Sequence, residues 1–375
     1  MPEDSQLIRP LSDLFPATSR WIYVDAASSG LLPETARERV NGVLEAQLLA
    51  SFGENHALSM LQSCREFFAR LIGAAATDVR LFPSTAGALD ALAARLDLHR
   101  RNNIVLCTAL SRPSFSAFWR EQARVHGLEL REVPVGPDGF VTAGLNALID
   151  KGTALVALPV VSHMRGWRLP IADIGSLCRT RNVFLLVDGS ASVGILAIDV
   201  ARDGVDGLIV AADGNALGVN GSAFLFTDAA WGGAADPFLR RRRVRDGRPE
   251  MPHLLSLAAA QEALRVIDAC GVAEVERHAL GLAGRLRAAL AEFGMPVEWP
   301  GGDARPGHVA SVGVPAEAVD SPLRDHALLK FAEQLTSGRV RYTVRGGQLQ
   351  FGFHLYNRLR DVMDVRRIAA QSLAA

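Results

Sequence analysis

Two stretches that are apolar almost throughout, residues 154–161 and 184–187, decide most of what this chain can become. A strand covered on one face alternates apolar and polar residues, whereas a strand apolar at every position needs cover on both. The second stretch belongs to a β-rich run at 183–187, and further runs lie at 103–107, 129–133, 208–211 and 223–226. They alternate with helical stretches near 86–97, 113–126, 142–150 and 171–181. This order predicts an α/β fold: a mostly parallel, seven-stranded-type sheet flanked by helices. Both apolar runs end on polar residues, SHMRG and DGSAS. In open α/β sheets that edge is where ligands bind.

Ahead of the sheet, residues 33–50 and 57–72 read as helices, and Pro33 suits a first turn. After Asp228 the composition shifts to Gly, Pro and Arg, in WGGAADPFLRRRRVRDGRPEMP. Its arginines, Arg240 to Arg243 with Arg245 and Arg248, read as a solvated loop or as an anion or partner contact. Helices near 254–269 and 271–293, β runs at 340–344 and 349–353 and a closing helix at 358–373 complete the chain. The expected organisation is an arm over 1–20, a large domain over 21–235, and a linker helix with a small α+β domain over 236–375. The first helices are expected to pack with the small domain.

The 40 basic and 40 acidic side chains cancel. Neither nucleic acid nor an anionic membrane finds an electrostatic footprint in such a chain. No apolar run approaches the length of a membrane span, and the start MPEDSQLIRPLSDLF lacks the pattern of a secretory signal. Cys64, Cys107, Cys178 and Cys270 lie far apart without a CxxC pair. Reduced thiols, a cytoplasmic location and no metal are the expectation.

Six segments occur in a recognisable order: YVDAASSGLLP (23–33), FPSTAGALDAL (82–92), VSHMRGWRLPI (161–171), LLVDGSASVG (185–194), VDGLIVAADGNALGVNGSAFLF (205–226) and GFHLYNRLRDV (352–362). Together they resemble the class V aminotransferase family of fold-type I pyridoxal-phosphate enzymes, which includes cysteine desulfurases and isopenicillin N epimerase-like enzymes. The resemblance runs from about Tyr23 to the end.

It implies a set of roles. Asp188 matches the carboxylate that holds the cofactor's pyridine nitrogen; a plain helix cap is the other reading. Ser84, Thr85 and Ala86 match the phosphate-cradling turn, and a helix cap explains the two hydroxyls equally well. Arg112 stands where relatives place a ring over the cofactor; an ordinary surface arginine is as good a reading. His163 stands at an asparagine position and reads as a cofactor contact, an acid or base, or a core histidine. Counting eight residues on from Asp206 and seven back from Gly221 both put the family's Schiff-base lysine at Gly214. The phosphate-binding histidine before it is Asp213, whose carboxylate would repel a phosphate. Gly214 also permits backbone conformations that lysine resists. The only lysines are Lys151, expected at the far edge of the sheet, and Lys330, expected in a small-domain helix. Gln350 replaces the arginine that clamps a substrate carboxylate, and Arg345 offers an alternative fork.

Three readings follow. The chain is a lysine-less member without Schiff-base chemistry, acting as a ligand-binding, regulatory or partner subunit. Or it is an active transferase or lyase on an amino-acid-like substrate, with pyridoxal phosphate bound non-covalently or lost. Or it is a conventional enzyme whose lysine lies elsewhere. A homodimer, or a heterodimer with an intact paralogue, is expected by analogy. If the cofactor has been abandoned, Asp188 should matter little.

Overall fold

The computed structural model describes residues 11–96, 98–136, 139–140, 142–229, 253–316 and 318–374. The first ten residues of the expected arm, the boundary expected at 235/236 and the Arg240–Arg248 stretch lie outside them.

After a short helical turn at Leu11–Leu14 and the strand Ile22–Tyr23 come helices α1 (Glu34–Leu48) and α2 (Glu54–Ile72). Then follow β1 (Val79–Phe82), α3 (Thr85–Ala93), β2 (Asn103–Leu106), α4 (Pro113–His126), β3 (Glu129–Glu132), α5 (Thr142–Leu148), β4 (Thr153–Pro159), α6 (Ile171–Arg181), β5 (Phe184–Asp188), β6 (Gly207–Ala211) and β7 (Ala223–Thr227). The seven strands form one sheet in the order β1-β7-β6-β5-β4-β2-β3. Only β7 runs against its neighbours; the other pairs are parallel.

Every residue of β4 and β5 is buried. Successive side chains point to opposite faces of the sheet. Val156, Leu158, Leu185 and Val187 join one apolar cluster with Phe68 of α2. Leu155, Ala157 and Leu186 join the other, with Leu89 of α3 and Trp119 of α4. The helix ends follow local rules. Pro113 opens α4, and Gly127 closes it at φ 66°. Asn182 closes α6 in the same left-handed region, at φ 52°.

The C-terminal part holds α7 (Leu254–Cys270), α8 (Val272–Glu292), β8 (Val309–Val312), α9 (His326–Ser337), β9 (Thr343–Arg345), β10 (Gln348–Gly352) and α10 (Leu359–Ala374). Strands β8, β10 and β9 form a three-stranded antiparallel sheet in that order. Helices α1 and α2 pack along α7, where Arg70 pairs with Asp268 at 2.7 Å. The strand Ile22–Tyr23 pairs in parallel with Val340–Arg341, and Asp25 bridges to Gly352. The single run expected at 340–344 is therefore two short strands, one for each partner. Strands β1 and β8 were not anticipated at all.

Candidate functional site

The C-terminal edge of the large sheet gathers the site. Asp188 is the last residue of β5 and is 4% exposed. Arg112 precedes α4 with extended backbone, φ −65° and ψ 140°, the conformation a following proline enforces. Its Nε donates to Asp188 Oδ2 at 2.9 Å and its Nη2 to Asp188 Oδ1 at 3.3 Å. A third bond runs from Nη2 to Ser190 Oγ at 2.9 Å. The carboxylate beside it raises the Arg112 pKa, against the opposing effect of burial. Arg112 is thus neither a surface arginine nor a free stacking group: its guanidinium is committed edge-on to Asp188. Asp188 in turn also accepts the Ser190 amide at 3.0 Å, so it is not idle.

Ser190 ties the next segment down. Its Oγ accepts the Ala211 amide at 3.0 Å, and its carbonyl accepts the Asn215 amide at 3.4 Å. Gly214 lies in the turn after β6. A Cβ built on it would sit 2.6 Å from the Ser190 carbonyl oxygen. Gly214 does not use the left-handed region. The expectation of a backbone conformation that lysine resists is therefore corrected: the obstacle is the close approach of a neighbouring carbonyl. The Gly214 carbonyl accepts from Leu217 at 3.2 Å and Gly30 at 3.4 Å. Asp213 is exposed and close enough to Arg112 to help hold its proton.

Ser84 caps α3, its Oγ accepting the Gly87 amide at 3.1 Å. Thr85 and Ala86 follow at the helix N-terminus, where free amides attract negative charge. They border a cavity of about 170 Å³ together with Arg112, Phe115, Phe118 and Ile209.

Arg345 and Gln350 come from the paired strands β9 and β10 of the small sheet. One Arg345 nitrogen, Nη1, donates to the carbonyls of Ala27 (3.2 Å) and His163 (3.0 Å) and to Gln350 Oε1 (2.9 Å). Gln350, fully buried on β10, donates to the Met164 carbonyl at 2.7 Å. Among the described residues Arg345 has no carboxylate in ion-pair contact, and burial lowers its pKa. Asp25 acts on it in the opposite sense, and accepts from the Thr343 hydroxyl at 2.5 Å. His163 is half-buried, and its pKa is pushed down to about 3 by burial and by Arg345 and Arg112. It is neutral at physiological pH and far from the range that suits an acid or base catalyst.

Arg112, His163, Asp188, Asp213, Gly214, Arg345 and Gln350 therefore share one edge, with Ser84, Thr85 and Ala86 at its rim. Lys151 stands before β4, at the opposite edge from Asp188, and Lys330 is in α9. Ser190 and Asp25 were missed. The only sequence signal for Ser190 was its place two residues beyond Asp188, at the end of a buried strand. Among the described residues no group of His, Cys, Asp or Glu is placed to hold a metal. The four cysteines are buried and form no disulfide among the described residues. No described helix is long and apolar enough to cross a membrane.

The family model for class-V aminotransferases matches residues 22–321. An uncharacterised aminotransferase, YcbU of Bacillus subtilis, is 25% identical over 378 residues, covering 96% of this chain and 97% of that one. Isopenicillin N epimerase of Streptomyces clavuligerus is 32% identical over 189 residues, about half of each chain. Among solved structures, the cysteine desulfurase of Thermococcus onnurineus superposes with a TM-score of 0.79 at 20% identity, over 97% of both chains. A lysine-to-alanine variant of C-DES, with glycine covalently linked to its PLP cofactor, gives 0.80 at 20% identity over 96% of this chain and 99% of that one.

Proposed function

Because this chain belongs to the class-V aminotransferase family, we propose that it is a member that keeps the fold and the cleft but holds no cofactor through a lysine. It then acts as a ligand-binding, regulatory or partner protein rather than as a Schiff-base enzyme. The observation that carries this reading is the packing at Gly214. No amine stands there, and the Ser190 carbonyl fills the space from which any side chain would emerge. Two further features support it. Both Asp188 oxygens are engaged by Arg112, and Asp213 puts a carboxylate beside the cleft. As arranged, these residues do not fit pyridoxal phosphate bound in the family's manner.

The test is borohydride reduction of protein equilibrated with pyridoxal phosphate, followed by peptide mass spectrometry. No adduct is expected. A stoichiometric adduct on Lys151 or Lys330 would overturn the reading.

A second reading has one observation in its favour. The C-DES variant lacks its lysine and still carries glycine joined to PLP. On that precedent, the present chain would be an active transferase or lyase with a non-covalent cofactor or none. The Arg345–Gln350 pair would then receive the carboxylate of an amino-acid-like ligand. Turnover of an amino acid by the purified protein, abolished in Arg345→Ala, would favour this reading.

By analogy with the family we also propose a cytoplasmic dimer, either of two copies or with an intact paralogue. Four buried cysteines that form no disulfide among the described residues support the reducing compartment. Sedimentation at micromolar concentration should give twice the chain mass, and a stable monomer would remove the homodimer.

A further inference from the structure

We propose that Arg112 is the built-in occupant of the Asp188 pocket. Its guanidinium takes the place of a ligand cation, so the site admits a cationic ring only after Arg112 is displaced. This deepens the reading given above and rests on it for the location of the ring site.

A carboxylate buried at a sheet edge needs a cation or several donors. Here the need is met within the chain. Asp188 receives two guanidinium N–H groups from Arg112 and one amide from Ser190. The fork is fixed from behind, because the same Arg112 nitrogen that reaches Oδ1 also reaches Ser190 Oγ. Ser190 Oγ is in turn held by the Ala211 amide. Pro113 fixes the backbone from which Arg112 departs. Planar guanidinium against carboxylate is the geometry that gives arginine its strength and selectivity. A protonated ring nitrogen competing for Asp188 offers one N–H where Arg112 offers two. Displacing Arg112 would also leave a half-buried guanidinium without its carboxylate near Arg345, whose pKa Arg112 already helps to lower. Neutral His163 next to both arginines offers that charge no relief. A ligand without a positive charge has no such competition, and the cavity beside Thr85 and Phe118 remains open to it.

Pyridoxamine 5′-phosphate is the probe of choice. It carries the ring nitrogen and the phosphate but cannot form an imine with a lysine. Its binding therefore reports on the ring pocket and is blind to the question tested by borohydride. Fluorescence titration should show weak binding to the wild type and at least tenfold tighter binding to Arg112→Ala. The gain should vanish in Arg112→Ala with Asp188→Asn. Millimolar guanidinium should compete with the probe in Arg112→Ala and leave the wild type unaffected. Arg112→Gln, close in size and uncharged, gives the same comparison if the alanine variant is poorly folded. Micromolar binding by the wild type overturns the proposal by itself, as does a gain that survives the loss of the Asp188 charge.

Discussion

Gly214→Ala should destabilise the fold almost as much as Gly214→Lys, by roughly 1–3 kcal/mol in each case, as overpacking of a filled site does. The shared atom is Cβ, and it is Cβ that meets the Ser190 carbonyl at 2.6 Å. Backbone is the obstacle, so no rotamer change relieves it. The turn must open, and with it the Ser190–Asn215 bond and the contacts of the Gly214 carbonyl. Gly214→Lys should consequently form little imine with pyridoxal phosphate, despite its new amine. Asp213 opposes it further, by pairing with the ammonium and by repelling a phosphate. Adding Asp213→His should improve imine formation over the single change. Urea denaturation and imine absorbance on Gly214→Ala, Gly214→Lys and the double variant check the set. A Gly214→Lys protein as stable as the wild type and readily yellow would mean that the strand register around β6 is wrong.

The second large effect is expected with acid. His163 and His308 are held down to about 3 and His354 to about 4, burial being the leading cause for each. All three titrate near 6.5 when unfolded. Their folded values are depressed, so the unfolded chain takes up protons first as the pH falls. The stability they leave intact above about pH 6.5 is lost on the way down toward 3–4. Each histidine kept neutral removes up to about 1.4 kcal/mol per pH unit in that window. Three together approach about 4 kcal/mol per unit, against a typical total of roughly 5–15 kcal/mol. Buried Asp25, Glu298 and Asp361 have raised pKa values and act in the opposite sense, but the histidine shifts are the larger ones. Cooperative unfolding is expected between about pH 6 and 4.

His308 is the cleanest probe of this effect. It is fully buried, and neither ring nitrogen has a hydrogen-bond partner among the described residues. Arg287, also buried, satisfies one nitrogen on the carbonyls of Gly307 and Val309 and leaves Nε unpaired. His308→Leu removes two unsatisfied polar atoms and one titration together. It should raise stability at pH 7 and flatten the slope below pH 6.5 by about a third. Denaturant titrations at pH 7.5, 6 and 5 check this. An unchanged slope would show that His308 is solvated or protonated in the folded protein.

Those two predictions draw on features of unequal visibility in the sequence. Strands β4 and β5 and helices α4 and α6 were readable because continuous apolar runs and terminal Pro, Gly or Asn mark them within a few residues. Strand β1 carries Arg80 in a run of four, and β8 is VASV. Both are too short and too mixed to stand out, and it is their pairing partners that make them strands. The site residues were located by motif, and the structure brings those from Arg112 to Gln350 to one edge. Their contacts were hidden. Arg112 and Asp188 are 76 residues apart, and nothing local says that one side chain will turn onto the other. The Ser190 carbonyl at Gly214 is a backbone approach with no residue signature beyond a glycine. The Arg345–Gln350 bond depends on the antiparallel register of β9 and β10, which a sequence pattern leaves open.

The strand near the start of the chain, Ile22–Tyr23, finds its partner at Val340–Arg341. Asp25 meets Thr343, 318 residues later. During synthesis at about 5–20 residues per second, that partner emerges roughly 15–60 s after the first strand. The seven-stranded sheet can assemble in the interval, because its strands lie between. Residues 22–25 cannot: they must wait, unpaired, beside a growing domain. Residues 22–25 are thus made early and placed late: Thr343 must emerge, 318 residues on, before Asp25 can meet it.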